Sequence, residues 1–238
     1  MAGINAILAP LFEFYNTLFQ PLLAAGPYVS LGFFSVLLAA LFSVIYWWLL
    51  DIEKADRIKE KIDKYQERMK EAREEDEQEK ASSHFKKTLQ LNQKFMMLNM
   101  KPMIATMVFV GLFFPWLGAT YAPTVEMTQI NDTAYNGTLE YANQEAALEA
   151  LNVSGQMQFR GEGALSTDEL EALGLTWEVT NFRLVEDQTH DAEMKINGKF
   201  IDLPVSIPLA GEALNWLGFY ILIIMPMTYI FRKLLGVQ

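Results

Sequence analysis

Three stretches of this chain carry no charged residue and are each long enough to cross a bilayer: Tyr28–Leu50, Met103–Ala122 and Ala213–Phe231, of 23, 20 and 19 residues. A helix rises 1.5 Å per residue, so about 20 residues cover the roughly 30 Å hydrocarbon layer. No other feature constrains the fold as tightly. The chain is 51% hydrophobic yet 20% charged, so the two kinds of residue are segregated along it. A soluble alternative requires three uncharged helices of this length buried within 238 residues. The runs are read as spans.

Between the first two runs lies a charged block, Asp51 to Lys101, holding 13 of the 19 Lys and Arg and 12 of the 29 Asp and Glu. Ile58, Ile62, Tyr65, Met69 and Ala72 follow heptad steps, the spacing that keeps one helical face toward a partner helix. Phe85, Leu89, Asn92 and Met96 are read as the answering seam, and Ala81-Ser82-Ser83-His84 as the turn between the two. The expectation is an antiparallel helical hairpin with its first arm the longer. Apolar runs adjoin both its ends, so it stands on the membrane.

Residues 1–27 are apolar but interrupted by Pro10, Glu13, Pro21 and Gly26-Pro27. Ile7, Leu11, Phe14, Leu18 and Leu22 form a helical stripe, which predicts a helix lying in the interface. A cleaved signal peptide is disfavoured because the leader has no Lys or Arg. Tyr46-Trp47-Trp48 closes the first span as a headgroup-level anchor. Positive charge concentrates in the hairpin and at Arg232 and Lys233, so by the positive-inside rule both are cytoplasmic and the N-terminus is outside. The segment Ala119–Glu212 is then extracytoplasmic, with 16 acidic against 4 basic residues, a net of −12.

The fold expected is an α-helical membrane protein with a small, mainly-β extracytoplasmic domain. Its divisions are 1–27 (interfacial helix), 28–50 (span), 51–101 (cytoplasmic coiled-coil hairpin with a Met-rich end) and 102–122 (span). After these come 123–212 (acidic β-rich domain), 213–231 (span) and 232–238 (cytoplasmic tail). Within the acidic segment, Leu175–Glu186 alternates Trp177, Val179 and Phe182 against Thr176, Glu178 and Thr180, as a half-buried strand does. Asn197-Gly198 predicts a type I′ hairpin turn. Ser166 with Glu169 resembles a capping box for a short helix closed by Gly174. Three sequons, at Asn131, Asn136 and Asn152, also fall in this segment.

The search for catalytic groups is negative. There is no cysteine, and His84 and His190 lie in opposite compartments on this topology, so they share no metal. His84 is read as a solvated residue at the hairpin tip. Arg160-Gly161-Glu162-Gly163 lacks the strand–turn–helix context of a phosphate loop, and no Asp-x-Asp-x-Asp-Gly calcium loop exists. The uncharged runs exclude a proton relay within the membrane. The expectation is a protein that is not an enzyme and holds no cofactor or metal.

Methionine is what stands out. Met96, Met100, Met103 and Met107 follow steps of 4, 3 and 4 on one helical face, with Met97 beside them and Met225 and Met227 in the third span. Flexible, polarisable thioethers let one surface accept many apolar shapes, although the same residues also serve as gap-filling core. Ser43, Tyr46, Thr106, Thr228 and Tyr229 lie in the cytoplasmic halves of the spans, where they hydrate a shallow groove or bond neighbouring helices. Pro115 and Pro226 are expected to kink their spans.

Lys101-Pro102-Met103 opens a span ending in Phe114-Pro115-Trp116-Leu117, and Trp216-Leu217-Gly218-Phe219-Tyr220 leads to Arg232-Lys233-Leu234-Leu235-Gly236. In this combination the chain resembles the archaeal YidC-like proteins of the Oxa/YidC/Alb insertase superfamily, to which the insertase subunit of the ER membrane complex is related. The resemblance covers the three spans and the hairpin. It implies a plasma-membrane insertase working without ATP on nascent membrane proteins, with the ribosome or a translocon as further partners. It also implies a cytoplasm-facing groove, a thinned bilayer and a Met-rich receiving segment. Bacterial members carry an Arg in the groove, whereas every Lys and Arg here lies outside the uncharged runs. The alternative function is a membrane-anchored sensor or scaffold whose acidic domain binds an outer ligand.

Overall fold

The computed structural model describes residues 2–185, 191–207 and 211–236, and the side chains of residues 8–185, 191–203 and 213–236. Helix α1 runs over Ala2–Leu23, α2 over Pro27–Leu49, α3 over Ile52–Glu74 and α4 over Gln78–Tyr121. Eight strands follow: β1 (Thr124–Asn131), β2 (Ala134–Tyr141), β3 (Gln144–Val153), β4 (Gln156–Arg160), β5 (Glu169–Ala172), β6 (Leu175–Leu184), β7 (Ala192–Ile207) and β8 (Gly211–Asn215). Helix α5, Trp216–Leu234, ends the order. Helices α2, α4 and α5 are long and apolar enough to cross a membrane. The chain divides into two compact units, residues 1–37 with 112–225 and residues 38–111 with 226–238.

The first unit contains a barrel-like β domain. The strands pair antiparallel in the order β4-β3-β2-β1-β7-β6-β5, with β8 added to β7. The ends of that order meet: Phe159 and Ser166 exchange backbone hydrogen bonds of 2.6 and 3.0 Å, and the Glu162 N–H donates to the Glu171 carbonyl at 2.6 Å. Closure leaves fewer unpaired backbone groups at the edges. Alternation fills the interior with Val125, Met127, Leu139, Leu148, Trp177, Met194 and Ile196, all buried. The Trp177 indole N–H, which burial obliges to find an acceptor, donates to the Ala172 carbonyl at 2.9 Å. The Leu175–Leu184 strand is as expected, and a bulge between Val179 and Asn181 explains how Trp177, Val179 and Phe182 face one way despite an odd-to-even change of parity. Glu186 and His190 lie outside the described residues.

Two expectations in this domain are corrected. Asn197-Gly198 is no turn; it sits inside β7, paired with Glu178 and Trp177 of β6. A Cβ on Gly198 would come 2.6 Å from Leu175 Cδ2 and 3.2 Å from Phe200 Cε2, so this glycine serves close packing. Nor does Ser166–Glu169 start a helix, because Glu169–Ala172 is strand β5 and pairs with β6. Four residues before a glycine return too few helical hydrogen bonds to offset nucleation, whereas a strand pairs at once. The tight turns fall instead at Ala142-Asn143, Ser154-Gly155 and Leu173-Gly174, all with positive φ at both positions, as type I′ hairpins require.

In the same unit the barrel stands on the helices. Ser30 Oγ of α2 lies 2.7 Å from the Tyr121 hydroxyl of α4 and 2.9 Å from the Tyr141 hydroxyl of β2, and it also reaches the Gly26 carbonyl at 2.9 Å. A serine has one proton to give; if the carbonyl takes it, both tyrosines donate to Ser30. Phe200 of β7 stacks on Phe219 of α5 at 5.1 Å and meets Tyr28 edge-on at 5.2 Å. Helix α1 forms as expected, but its packed face is Tyr15, Phe19 and Leu23, against Phe34, Phe113 and Trp116. Phe14 and Leu18 of the expected stripe point outward at 58% and 55% exposure, so α1 is apolar on two faces.

The second unit contains the helical hairpin. Ile58, Ile62 and Ala72 of α3 are buried and Tyr65 and Met69 half-buried, so the first seam is as expected. Its partner is not. Phe85, Leu89, Asn92 and Met96 are exposed, and the face of α4 turned inward is Ala81, His84, Thr88, Leu91, Phe95, Leu98 and Pro102, itself a heptad series. Tyr65 meets His84 with ring centroids 5.8 Å apart, and Lys59 lies 5.8 Å from the Phe95 ring, which sets the arms antiparallel. His84 is therefore a packed residue and not a solvated tip. The turn is at Glu75–Glu77, where Asp76 takes φ +57° and the Glu77 N–H donates to the Ala72 carbonyl at 2.8 Å. Ser82 and Ser83 are exposed in the opening turns of α4, where serine is tolerated.

Two boundaries move accordingly. The hairpin's return arm and the second span are one 44-residue helix, α4, continuous through Pro102 and Pro115. The third apolar run opens as strand, since Ala213–Asn215 belongs to β8. Asn215 then starts α5, its side-chain carbonyl accepting the Gly218 N–H at 3.0 Å. Arg232 and Lys233 lie in the last turn of α5, where they complement the helix dipole.

Candidate functional site

The inward heptad of α4 leaves its opposite side unpartnered among the described residues. Met96, Met97, Met100, Met103 and Met107 are 70, 68, 46, 53 and 73% exposed, so none is core filler. Phe85 and Leu89 begin the same stripe, at 47% each, and Ile104 and Val108 flank its far end. From Phe85 to Met107 it runs about six turns, roughly 33 Å at 1.5 Å per residue. Its lower part is bordered by the exposed Lys86, Lys87, Lys94 and Lys101; beyond Lys101 the helix is uncharged to its end. One apolar track thus passes from a charged, water-facing setting into a segment apolar enough for a bilayer.

The other expected site residues are distributed less simply. Ser43 is buried and its hydroxyl donates to the Ala39 carbonyl at 2.7 Å; Thr106 does the same to Met103 at 2.9 Å. Both satisfy their own helix. Met227 and Thr228 are half-buried and Tyr229 is 64% exposed. Met225, at 68% exposure, falls in the first unit and the rest in the second. Tyr46 is joined to α5 by Arg232, whose guanidinium lies 4.3 Å from the tyrosine ring centroid, a cation–π contact.

That contact closes a cavity of about 270 Å³, lined also by Leu50, Ile52, Ala55, Asp56, Lys59, Phe95 and Asn99. Sequence reading passed over it, although the signals were present. Asp56 and Lys59, like Phe95 and Asn99, are spaced to share a helix face, and Arg232 directly follows an apolar run. In the first unit a second cavity, about 370 Å³, lies between α1, the end of α4 and the β2–β3 turn. Its polar rim includes Gln20, Glu140 and Glu145, and Trp116 donates to the Asn16 side-chain carbonyl beside it at 2.8 Å. Among the described residues no group of three or more His, Asp and Glu is placed to hold a metal ion.

A search of curated proteins finds no match. A search of solved structures finds none either. A family model does match: residues 16–130, from within α1 through α2, α3 and α4 to β1, are similar to the family described as integral membrane protein EMC3/TMCO1-like. The barrel beyond Ile130 and helix α5 lie outside that match, which therefore covers the hairpin and the methionine-bearing helix.

Proposed function

We propose that this protein is a membrane protein insertase, a chaperone for short hydrophobic segments rather than an enzyme. The observation that carries the reading is the apolar track on α4, exposed from Phe85 to Met107 and continuous from charged hairpin to uncharged span. The EMC3/TMCO1-like family is related to the Oxa/YidC/Alb insertases, and its match to residues 16–130 supports the reading. In this scheme the hairpin and C-terminus face the cytoplasm, the barrel faces outward, and the protein resides in the plasma membrane. A nascent segment, delivered by the ribosome or a translocon, slides along the methionines, which adapt to its shape. The polar flank crosses where the bilayer is thinned and hydrated, which lowers its cost without ATP.

The test is insertion of a short N-terminally translocated segment into proteoliposomes. Replacing Met96, Met100, Met103 and Met107 together by Ser should abolish insertion, with a melting midpoint near that of the unaltered protein, because the side chains are exposed. Replacement by Leu should retain most clients and lose those of unusual shape first. Normal insertion by a folded four-Ser variant would falsify the proposal. The acidic barrel, which lies outside the family match from Asn131 onward, would then carry the function as a sensor or scaffold.

A further inference from the structure

We infer that the cavity beneath Arg232 is a binding site for the phosphate of an anionic phospholipid headgroup. The inference rests on α2, α4 and α5 being membrane spans and is independent of the insertase reading. The cavity sits where α2 ends, α3 begins and α5 closes against α4, so four elements meet at one level. That level is the headgroup layer, since Trp47 and Trp48, next to Tyr46, are 50% and 78% exposed, as interfacial aromatics are. Basic pockets between helix ends at this depth recognise lipid phosphates.

The chemistry is specific. Arg232 is held against the face of Tyr46, and its Nε is buried without a hydrogen-bond partner. A guanidinium fixed in this way presents a planar fork suited to phosphate oxygens. Lys59 brings a second cation from α3, and Asn99, one of whose amide hydrogens is given to the Phe95 carbonyl at 2.9 Å, keeps the other. Asp56 also lines the cavity, so two cations face one carboxylate and the pocket carries a net +1. That balance suits the single negative charge of a phosphodiester and disfavours a dianion. Leu50, Ile52 and Ala55 supply an apolar side against which the glycerol and first methylenes can rest.

The experiment uses the full chain in neutral detergent and measures phosphatidylglycerol binding by native mass spectrometry and by shift in melting midpoint. Phosphatidylcholine and inorganic phosphate are run alongside. Phosphatidylglycerol should stay bound and raise the midpoint. Arg232→Gln and Lys59→Gln should each weaken it on the order of tenfold, the loss of one charge-assisted hydrogen bond. Lys70→Gln, exposed on α3 and outside the cavity lining, should leave lipid binding unchanged. If Arg232→Gln does not fold, Arg232→Lys, which keeps the charge and loses the fork, should show an intermediate loss. Equal binding by Lys59→Gln and the unaltered protein would overturn the site. So would displacement of the lipid by inorganic phosphate, which would make this a free-anion site, or by an acidic client peptide, which would make it part of the client path.

Discussion

The barrel and helix α4 use the same residue in opposite ways. Met127 and Met194 are fully buried in the barrel interior, whereas Met96, Met97, Met100, Met103 and Met107 on α4 are between 46% and 73% exposed. In the barrel, methionine fills irregular space between closed strands. On α4 it forms a surface that none of the described residues covers. Thioether chemistry does not distinguish the two; what lies opposite does. A strand closed on both sides has neighbours on every face, while a helix packed along one heptad seam has a free face by construction.

The largest effect should come from the barrel. Met127→Ser and Met194→Ser should each cost about 2–5 kcal/mol, since each removes a fully buried side chain and leaves a void in the barrel interior. Melting of the β signal is the measurement, and a drop no larger than that of the four-Ser α4 variant would break the contrast. Next in size is the hairpin seam. Ile62→Asp buries a charge against α4 and should cost on the order of 1–3 kcal/mol, whereas Phe85→Asp, on the exposed side, should change stability by about 0.5 kcal/mol or less. Protease resistance of residues 51–95 reads both, and equal resistance would mean that α4 has no inward face.

The smallest effect is alkaline and confined to the barrel. Lys199 of β7 donates to the Glu169 carboxylate at 2.6 Å, which raises its pKa above the ordinary 10.5 despite partial burial. Burial pushes the Tyr141 hydroxyl above its ordinary 10.0. Both folded-state values lie above the unfolded ones, so the stabilisation is complete below pH 10.0 and declines as pH rises through the folded values. Beyond the base-catalysed rise common to all amides, hydrogen exchange of β2 and β7 should accelerate above pH 10.0 before that of the hairpin core does. Simultaneous acceleration in both would remove the distinction.

Much of this architecture was legible in the chain. Uncharged length fixes where helices can cross a bilayer, because it depends on composition and not on neighbours. The heptad Ile58, Ile62, Tyr65, Met69 and Ala72 was legible for the same reason, since apart from Ile52, Ala55 and Gln66 the other positions of α3 are charged. Helix α4 was not, because it is apolar on two sides. Phe85 and Leu89 fit one heptad as well as Leu91 and Phe95 fit another, and only packing against α3 decides which turns inward. The methionine track follows from that choice. The Tyr46–Arg232 cavity was hidden because its residues come from four separate elements.

What the sequence alone determined is therefore local and compositional: three apolar helices, an antiparallel hairpin between two of them, and an acidic β-rich domain before the last. Tertiary structure decided the rest. It put Asn197-Gly198 inside β7, where the glycine admits Leu175 and Phe200, and moved the tight turns to Ala142-Asn143, Ser154-Gly155 and Leu173-Gly174. It made a strand of Glu169–Ala172 by offering β6 as a partner. A turn or a short strand is worth little by itself, so long-range pairing overrides its local preference. A span of 20 uncharged residues carries its own driving force, and no distant contact is needed to specify it.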